Sequence, residues 1–270
     1  MAHYAQDGAK VTLVTCTLGE EGEILVPDLE HLGAAAEDRL GAHRKTELSD
    51  AMDALGVTDW RLLGEPGKYR DSGMMGEPSN NRPECFWQAD LLQAAIDLVP
   101  VIRTEKPHAL ITYDDFGGYG HPDHIQAHRT AMYGAQLAAA PSFKPELGPA
   151  WDIPKIYWTA MSKRMMREGI KIMREAGITG GIADIDPDNL PFGIEDDQIT
   201  TVIHAREQMP KKLAAMLAYP TQIDMEKGLF SLAKLEGAPM GTEYFRLIKG
   251  ELGPVNEDGL ETDLFAGVLS

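Results

Sequence analysis

The chain has 270 residues, with 42 acidic against 25 basic side chains and a formal charge of −17. So acidic a balance argues against nucleic acid or an anionic membrane as partner, since both are held by basic patches. Two cysteines, Cys16 and Cys85, make no disulfide framework, no apolar run reaches the length of a membrane-spanning helix, and the N-terminus lacks the regions of a signal peptide. The chain therefore reads as a soluble cytoplasmic protein, long enough for one large α/β domain or for one domain with an appended subdomain.

Residues 1–8 read as the tail of a helix stopped by Gly8. Residues 9–17 follow as an apolar strand, with Cys16 as a buried reduced thiol. The chain leaves this strand through Gly19 and Gly22. Of the acids between and beyond them, Glu20 and Glu21 are read as solvated, whereas Glu23 is also placed to accept hydroxyl groups of a ligand. Residues 28–55 carry Leu29, Leu32, Leu40, Leu48, Met52 and Leu55 at helical spacing, with Gly41 as a point of interruption. Arg44 lies on this stretch. A short strand over 60–63 leads to a long loop over 64–82, which contains Asp71; loops of that length in compact domains are usually functional or disordered. Residues 90–105 read as a helix that Pro100 strains or kinks. Lys106-Pro107 ends it.

The stretch 113–128 comes next: Tyr-Asp-Asp-Phe-Gly-Gly-Tyr-Gly-His-Pro-Asp-His-Ile-Gln-Ala-His. The apolar run before it reads as a buried strand, and residues 125–140 after it as a helix. A strand, a glycine turn and a helix form an α/β edge of the kind where ligands bind beyond the carboxyl ends of strands. Pro122 fits a first helical turn, and Asp123 is favoured there by the helix dipole. His121 and His124 are three apart and share one side of the helix start. Imidazole is the commonest metal ligand and needs an orienting partner, a part that Asp123 is placed to take. His128, four beyond His124, is in position to complete a two-histidine metal face. No Glu lies within that pair, so a zincin motif is absent. Further on, residues 156–159, 199–204 and 243–248 read as strands. Residues 161–176 form a lid or outer helix, 178–197 a loop, and 205–219 a helix with Leu213, Met216 and Leu217 inward.

Tyr-Asp-x-x-Gly-Gly-Tyr-Gly-His-Pro-Asp-His resembles the second motif of the zinc-dependent N-acetylglucosaminyl deacetylases, the PIG-L or LmbE-like superfamily. The stretches 14–23, 67–74 and 261–267 resemble its mycothiol-biosynthesis branch, which removes acetate from N-acetylglucosaminyl-inositol. The resemblance runs from about Ala2 to the C-terminus and is weakest around 141–198. It implies a Rossmann-like, doubly wound, mostly parallel sheet. The catalytic core would span residues 1–150, and a smaller C-terminal α/β portion, 151–270, would complete the substrate cleft. It also implies that His124 is a ligand of Zn2+ (Fe2+ being possible). His121, oriented by Asp123, would stabilise the oxyanion and protonate the leaving amine, and Tyr119 would help polarise the carbonyl. Arg44, Asp71 and Glu23 would grip a small amino-sugar inositol substrate. The rivals are a mycothiol-conjugate amidase on the same scaffold and a non-catalytic sugar-binding pseudo-enzyme. The loop Leu-Gly-Glu-Glu-Gly-Glu and Gly-Tyr-Gly-His, rather than Gly-Tyr-Pro-His, favour the deacetylase.

In the resembled family a first strand ends in His-Pro-Asp-Asp-Glu and supplies two zinc ligands and the general base. This sequence holds no such motif; the nearest text, residues 184–188, lacks histidine. The expectation is therefore a start assigned at an internal methionine, or a cut chain, which as written folds poorly, binds zinc weakly and is inactive. The DNA upstream of the Met1 codon decides. An in-frame His-Pro-Asp-Asp stretch is the expected finding, and a stop codon or unrelated sequence there supports the pseudo-enzyme.

Overall fold

The computed structural model describes residues 1–226, 228–232 and 240–268. Helices and strands alternate along it: α1 (Ala2–Gln6), β1 (Thr12–Thr15), α2 (Leu40–Leu55), β2 (Asp59–Leu62), α3 (Leu91–Glu105), β3 (Ala109–Thr112), the distorted turn α4 (Gly117–Gly120), α5 (Pro122–Ala139), β4 (Lys155–Ala160), α6 (Lys163–Glu175), β5 (Thr201–His204), α7 (Met209–Leu217) and β6 (Thr242–Lys249). The first two strands pair in parallel, with Leu13 opposite Trp60. The other four form a second sheet in the order β3-β4-β6-β5.

That second sheet is mixed, its one reversed strand being β6, so the expected mostly parallel arrangement holds in part. Strand β3 runs parallel to β4, but β6 lies antiparallel to both β4 and β5. Antiparallel neighbours need no right-handed crossover helix, so the last strand can enter between two earlier ones. The sheet also continues across residue 150, since β3 and β4 are hydrogen-bonded to each other.

Alternation along the strands puts helices on both faces. In β1 and its flanks, Val11 and Leu13 pack with Leu48, Ala51 and Met52 of α2, whereas Val14 and Cys16 join Leu98, Val99 and Ala135 of α3 and α5. Strand β4 divides in the same way: Ile156 faces the α3 and α5 core, and Tyr157 faces Phe245 and Leu264. Pro100 sits inside α3 without ending it, because burial of Leu98, Val99 and Ile102 outweighs the hydrogen bond it cannot give. The break expected at Gly41 falls earlier, since α2 begins at Leu40. Gly41 instead admits Glu20, whose Cγ would lie 2.7 Å from an added Cβ. Leu217 is exposed, contrary to its expected inward place; α7 meets α2 through Ala215, followed by Ala218 and Tyr219. Helix α6 has a satellite core of its own, built on Ile170, Met173, Ala183 and Leu232.

Two buried cations tie distant segments together. Arg103 on α3 donates to the carbonyls of Leu137, Ala138 and Ala140 at the end of α5, and to those of Phe143, Lys144 and Gly148 beyond it. A cation suits the negative end of a helix dipole. Lys155 on β4 pairs with Glu261, both wholly buried. Glu261 also accepts from the Tyr157 hydroxyl at 2.6 Å and from the Gly253 amide at 2.8 Å. This pair fastens the C-terminal segment to the sheet. Glu261→Ala leaves the ammonium buried without a counter-charge and is expected to cost about 3–5 kcal/mol, read from denaturant unfolding. Glu261→Gln, which keeps one acceptor oxygen, should cost less, and an unchanged unfolding midpoint for the alanine variant would contradict the role.

Candidate active site

Strand β3 runs into the turn that shapes the site. Gly117, Gly118 and Gly120 take φ of +69°, +76° and +91°, values that side chains disfavour. Gly117 has a second reason to be glycine, because an added Cβ would lie 2.7 Å from the Ile125 amide nitrogen and 2.9 Å from the Cβ of His124. Asp114 closes the turn by accepting from the Gly118 amide at 2.7 Å. The chain then enters α5 at Pro122, with His121 as the N-cap residue.

His121 and His124 come together as expected, with ring centroids 4.8 Å apart. Their hydrogen bonds give them opposite tautomers. His124 Nδ1 lies 3.1 Å from the Gly117 carbonyl oxygen, which can only accept, so Nδ1 carries the proton and Nε2 keeps its lone pair for a metal. His121 Nδ1 accepts from the Asp123 amide at 3.1 Å, so its proton sits on Nε2 and is available as a donor. Burial, helped by the neighbouring His121, lowers the His124 pKa to about 4 against the pull of the Gly117 bond and Asp71. Burial also lowers that of His121, with Asp71 opposing. The Tyr113 ring stacks on His124 at 4.0 Å. Tyr119, 45 % exposed, meets the same imidazole edge-on at 5.1 Å and is placed to reach a ligand.

The expected part for Asp123 needs correction. Its carboxylate does not orient His121; its backbone amide does. The carboxylate, buried in the first turn of α5, accepts from the Ser72 hydroxyl in a short contact and from the Ser72 amide at 3.0 Å. Thr17 adds a longer bond of 3.4 Å. Burial pushes the Asp123 carboxyl well above the usual carboxylate range, the Ser72 hydrogen bonds oppose this, and the adjoining Asp71 adds to it. His128 is also turned elsewhere. Its Nδ1 bonds the Tyr113 carbonyl at 2.9 Å and its ring packs edge-on against Trp158, so it shares no face with His124.

Two of the side chains expected to grip a substrate, Arg44 and Asp71, are buried in the walls of the site. Arg44 is 3 % exposed. It donates to the carbonyls of Gly19 at 2.7 Å and Glu23 at 2.9 Å, and to the Thr221 hydroxyl at 3.3 Å. Asp71, 6 % exposed, accepts from the amides of Glu21 and Gly73. Through these bonds both hold the rim of the site, and Asp71 also lies near enough to His121 and His124 to oppose the lowering of their pKa. Glu23 is exposed, as a hydroxyl acceptor needs. Glu20 and Glu21, read as solvated, are structural: Glu20 accepts from the Leu18 and Asp71 amides, and Glu21 pairs with Arg70 and Arg82. Sequence reasoning missed Ser72, Thr17 and Tyr113, and also Met161, whose methyl would lie 3.3 Å from a Cβ on Gly118. Adjacency to a quoted motif was the available signal for Ser72 and Tyr113, and none pointed to Met161.

The donor set tests the expected metal. His124 has the tautomer and the low basicity of a ligand, but no three His, Cys, Asp or Glu side chains among the described residues come together around an ion. The residues present thus fit one ligand of a zinc site and do not complete it. No described helix is long and apolar enough to cross a membrane.

A mixed α/β sheet with a histidine pair at a helix start, beside the end of a parallel strand, fits a hydrolase that acts on a polar substrate. Residues 1–134 match the PIG-L family, described as GlcNAc-PI de-N-acetylase. The chain is 54% identical over 270 residues to the 1D-myo-inositol 2-acetamido-2-deoxy-alpha-D-glucopyranoside deacetylase 1 of Catenulispora acidiphila, covering 99% of this chain and 83% of that one. It is 53% identical over 279 residues to the deacetylase so named in Kribbella flavida, covering 99% and 91%. Among solved structures it resembles the N,N'-diacetylchitobiose deacetylase from Pyrococcus horikoshii, with a TM-score of 0.58, 18% identity, and coverage of 92% of this chain and 76% of that one. It also resembles the zinc-inhibited form of teicoplanin deacetylase Orf2, with a TM-score of 0.51, 17% identity, and coverage of 93% and 91%. The chain belongs to the PIG-L family.

The low His124 pKa has a measurable sign. A histidine whose folded pKa lies below its unfolded value of 6.5 withdraws stability as pH falls from 6.5 towards about 4. The raised Asp123 carboxyl acts in the opposite sense, so the ring itself should be followed. Titration of the His124 resonances in metal-free protein is expected to give a midpoint near 4, and a midpoint at or above the ordinary histidine value would contradict the geometry.

Proposed function

We propose that this protein hydrolyses the acetamide of N-acetylglucosaminyl-inositol, releasing acetate and glucosaminyl-inositol, as a step of mycothiol biosynthesis. The observation that carries the reading is the pair of opposite tautomers at His121 and His124, one offering a lone pair and the other a proton, 4.8 Å apart at the mouth of the site. Relatives about half identical over nearly the whole chain, named as deacetylases of this substrate, support the substrate class. Neither of these two relatives is named an amidase.

In this reading His121 Nε2–H donates to the acetamide oxygen as charge develops on it; as the carbon–nitrogen bond breaks, the departing amine gains the proton that the attacking water gives up. Tyr119 adds a second donor from its glycine turn. Glu23 accepts sugar or inositol hydroxyls, while Arg44 and Asp71 hold the Gly19–Glu23 rim in place. The metal is zinc, and His124 is the ligand this chain presents to it. We assign the remaining ligands to a further parallel strand seated between β1 and β3. Two features support that assignment. Among the described strands β1 and β3 each pair on one edge alone, and Ile111 of β3, in a strand that should be covered, is 46 % exposed. Unpaired edges and open apolar side chains mark a place where another strand fits. Residues 151–270 complete the cleft, as supported by Met161 beside Gly118 and by Thr221 beside Arg44.

Two substitutions test the division of labour in protein that includes this further strand and is loaded with zinc. His124→Ala is expected to lose bound zinc. His121→Ala should keep the ion and lose turnover by about 10²–10⁴-fold, the range of a positioned proton donor. Equal zinc loss in both variants would refute the assignment.

A further inference from the structure

We infer that Asp114 is a positioning residue for the metal ligand His124, acting through the peptide group between Gly117 and Gly118. This rests on the reading of His124 as a ligand.

Asp114 lies half-buried just past the end of β3. Its Oδ1 accepts from the Gly118 amide at 2.7 Å, and its carbonyl accepts from the Gly117 amide at 3.0 Å. The Gly118 amide belongs to the same planar unit as the Gly117 carbonyl. In a trans peptide the N–H and the C=O point to opposite sides. The carboxylate therefore holds one side of this unit, while the other side accepts from His124 Nδ1 at 3.1 Å. A bond from an amide to a charged acceptor is among the strong ones, and an amide so engaged polarises its carbonyl into a better acceptor. Carboxylate, peptide and imidazole thus form one chain that ends at Nε2.

The unit needs such a hold because both of its flanking residues are glycine. Reversing it exchanges the places of the carbonyl and the amide and changes chiefly the two angles beside it, ψ of Gly117 and φ of Gly118. A Cβ ordinarily limits those angles, and glycine has none. Reversal would turn an N–H towards His124 Nδ1. That nitrogen would then accept, its proton would move to Nε2, and the lone pair that meets a metal would be gone. His124 would carry the tautomer of His121. A carboxylate only accepts, so the reversed unit would also set its carbonyl oxygen against Asp114. One acid upstream of the glycine turn thus keeps the second histidine a ligand and not a donor.

The test uses protein that includes the further strand. In its metal-free form, long-range 1H–15N spectra should show His124 as a single Nδ1–H tautomer. Asp114→Ala is expected to bring in the Nε2–H form and to weaken zinc binding about 10–100-fold, the range for losing an outer partner of a metal ligand, read by competition with a chelating dye. Asp114→Leu, close in size to the acid, repeats both measurements should the alanine variant fold poorly. Asp114→Asn keeps one acceptor oxygen and should retain the wild-type tautomer and most of the affinity, a rescue that packing alone would not produce. A single Nδ1–H tautomer in the alanine and leucine variants overturns the proposal. So does zinc affinity unchanged in them while His124→Ala loses the ion. Should His124→Ala itself keep zinc, the reading of His124 as a ligand falls, and the tautomer spectra alone decide the link from Asp114.

Discussion

The site depends on a backbone constraint, the reversal of the chain between the end of β3 and the first turn of α5. Glycines at positive φ let the main chain fold back until the Gly117 carbonyl meets one imidazole, while the opening of α5 brings the Asp123 amide against the other. A carbonyl only accepts and an amide only donates, so the main chain dictates which nitrogen of each ring holds its proton. No side chain need be titrated to tell the two histidines apart. A Cβ at Gly117 would collide with the helix start, which makes the turn and the tautomers one structural unit.

Around that unit the acidic residues act mostly as hydrogen-bond acceptors for backbone. Glu20 bridges the end of β1 to Asp71, Glu21 holds Arg70 and Arg82, and Asp71 closes on Glu21 and Gly73. Arg44 extends the framework to the C-terminal half through Thr221, whose hydroxyl and amide also reach Glu47 on α2. The rim that carries Glu23 is therefore fixed from both halves of the chain. A polar opening with rigid walls suits a hydroxyl-rich ligand, since groups held in advance lose less entropy when they bind.

Much of this was legible in the sequence where a local rule governs the outcome. The apolar run before Tyr113 and the Ala-rich stretch after Ile125 became β3 and α5, and glycine spacing marked the turn between them. The shared side of His121 and His124 followed from helical geometry. What was not legible was set by partners remote in the chain. Arg44 reads as any helix arginine until Gly19, Glu23 and Thr221 surround it, and Asp123 reads as the orienting acid until Ser72 takes its carboxylate. The reversal of β6 was not legible because a strand carries no mark of its direction in its residues; the pairing partners decide it. His128 failed as a second ligand because Trp158, on a strand thirty residues on, claims its ring.

The central claim is amide hydrolysis at this pair of histidines, and product formation tests it most directly. Protein that includes the further strand and holds one zinc ion per chain is mixed with N-acetylglucosaminyl-inositol, and acetate and free amine are counted over time. Equal amounts of the two products, formed catalytically, are what the account predicts. A zinc-loaded protein that binds the amino sugar and releases no acetate would contradict it.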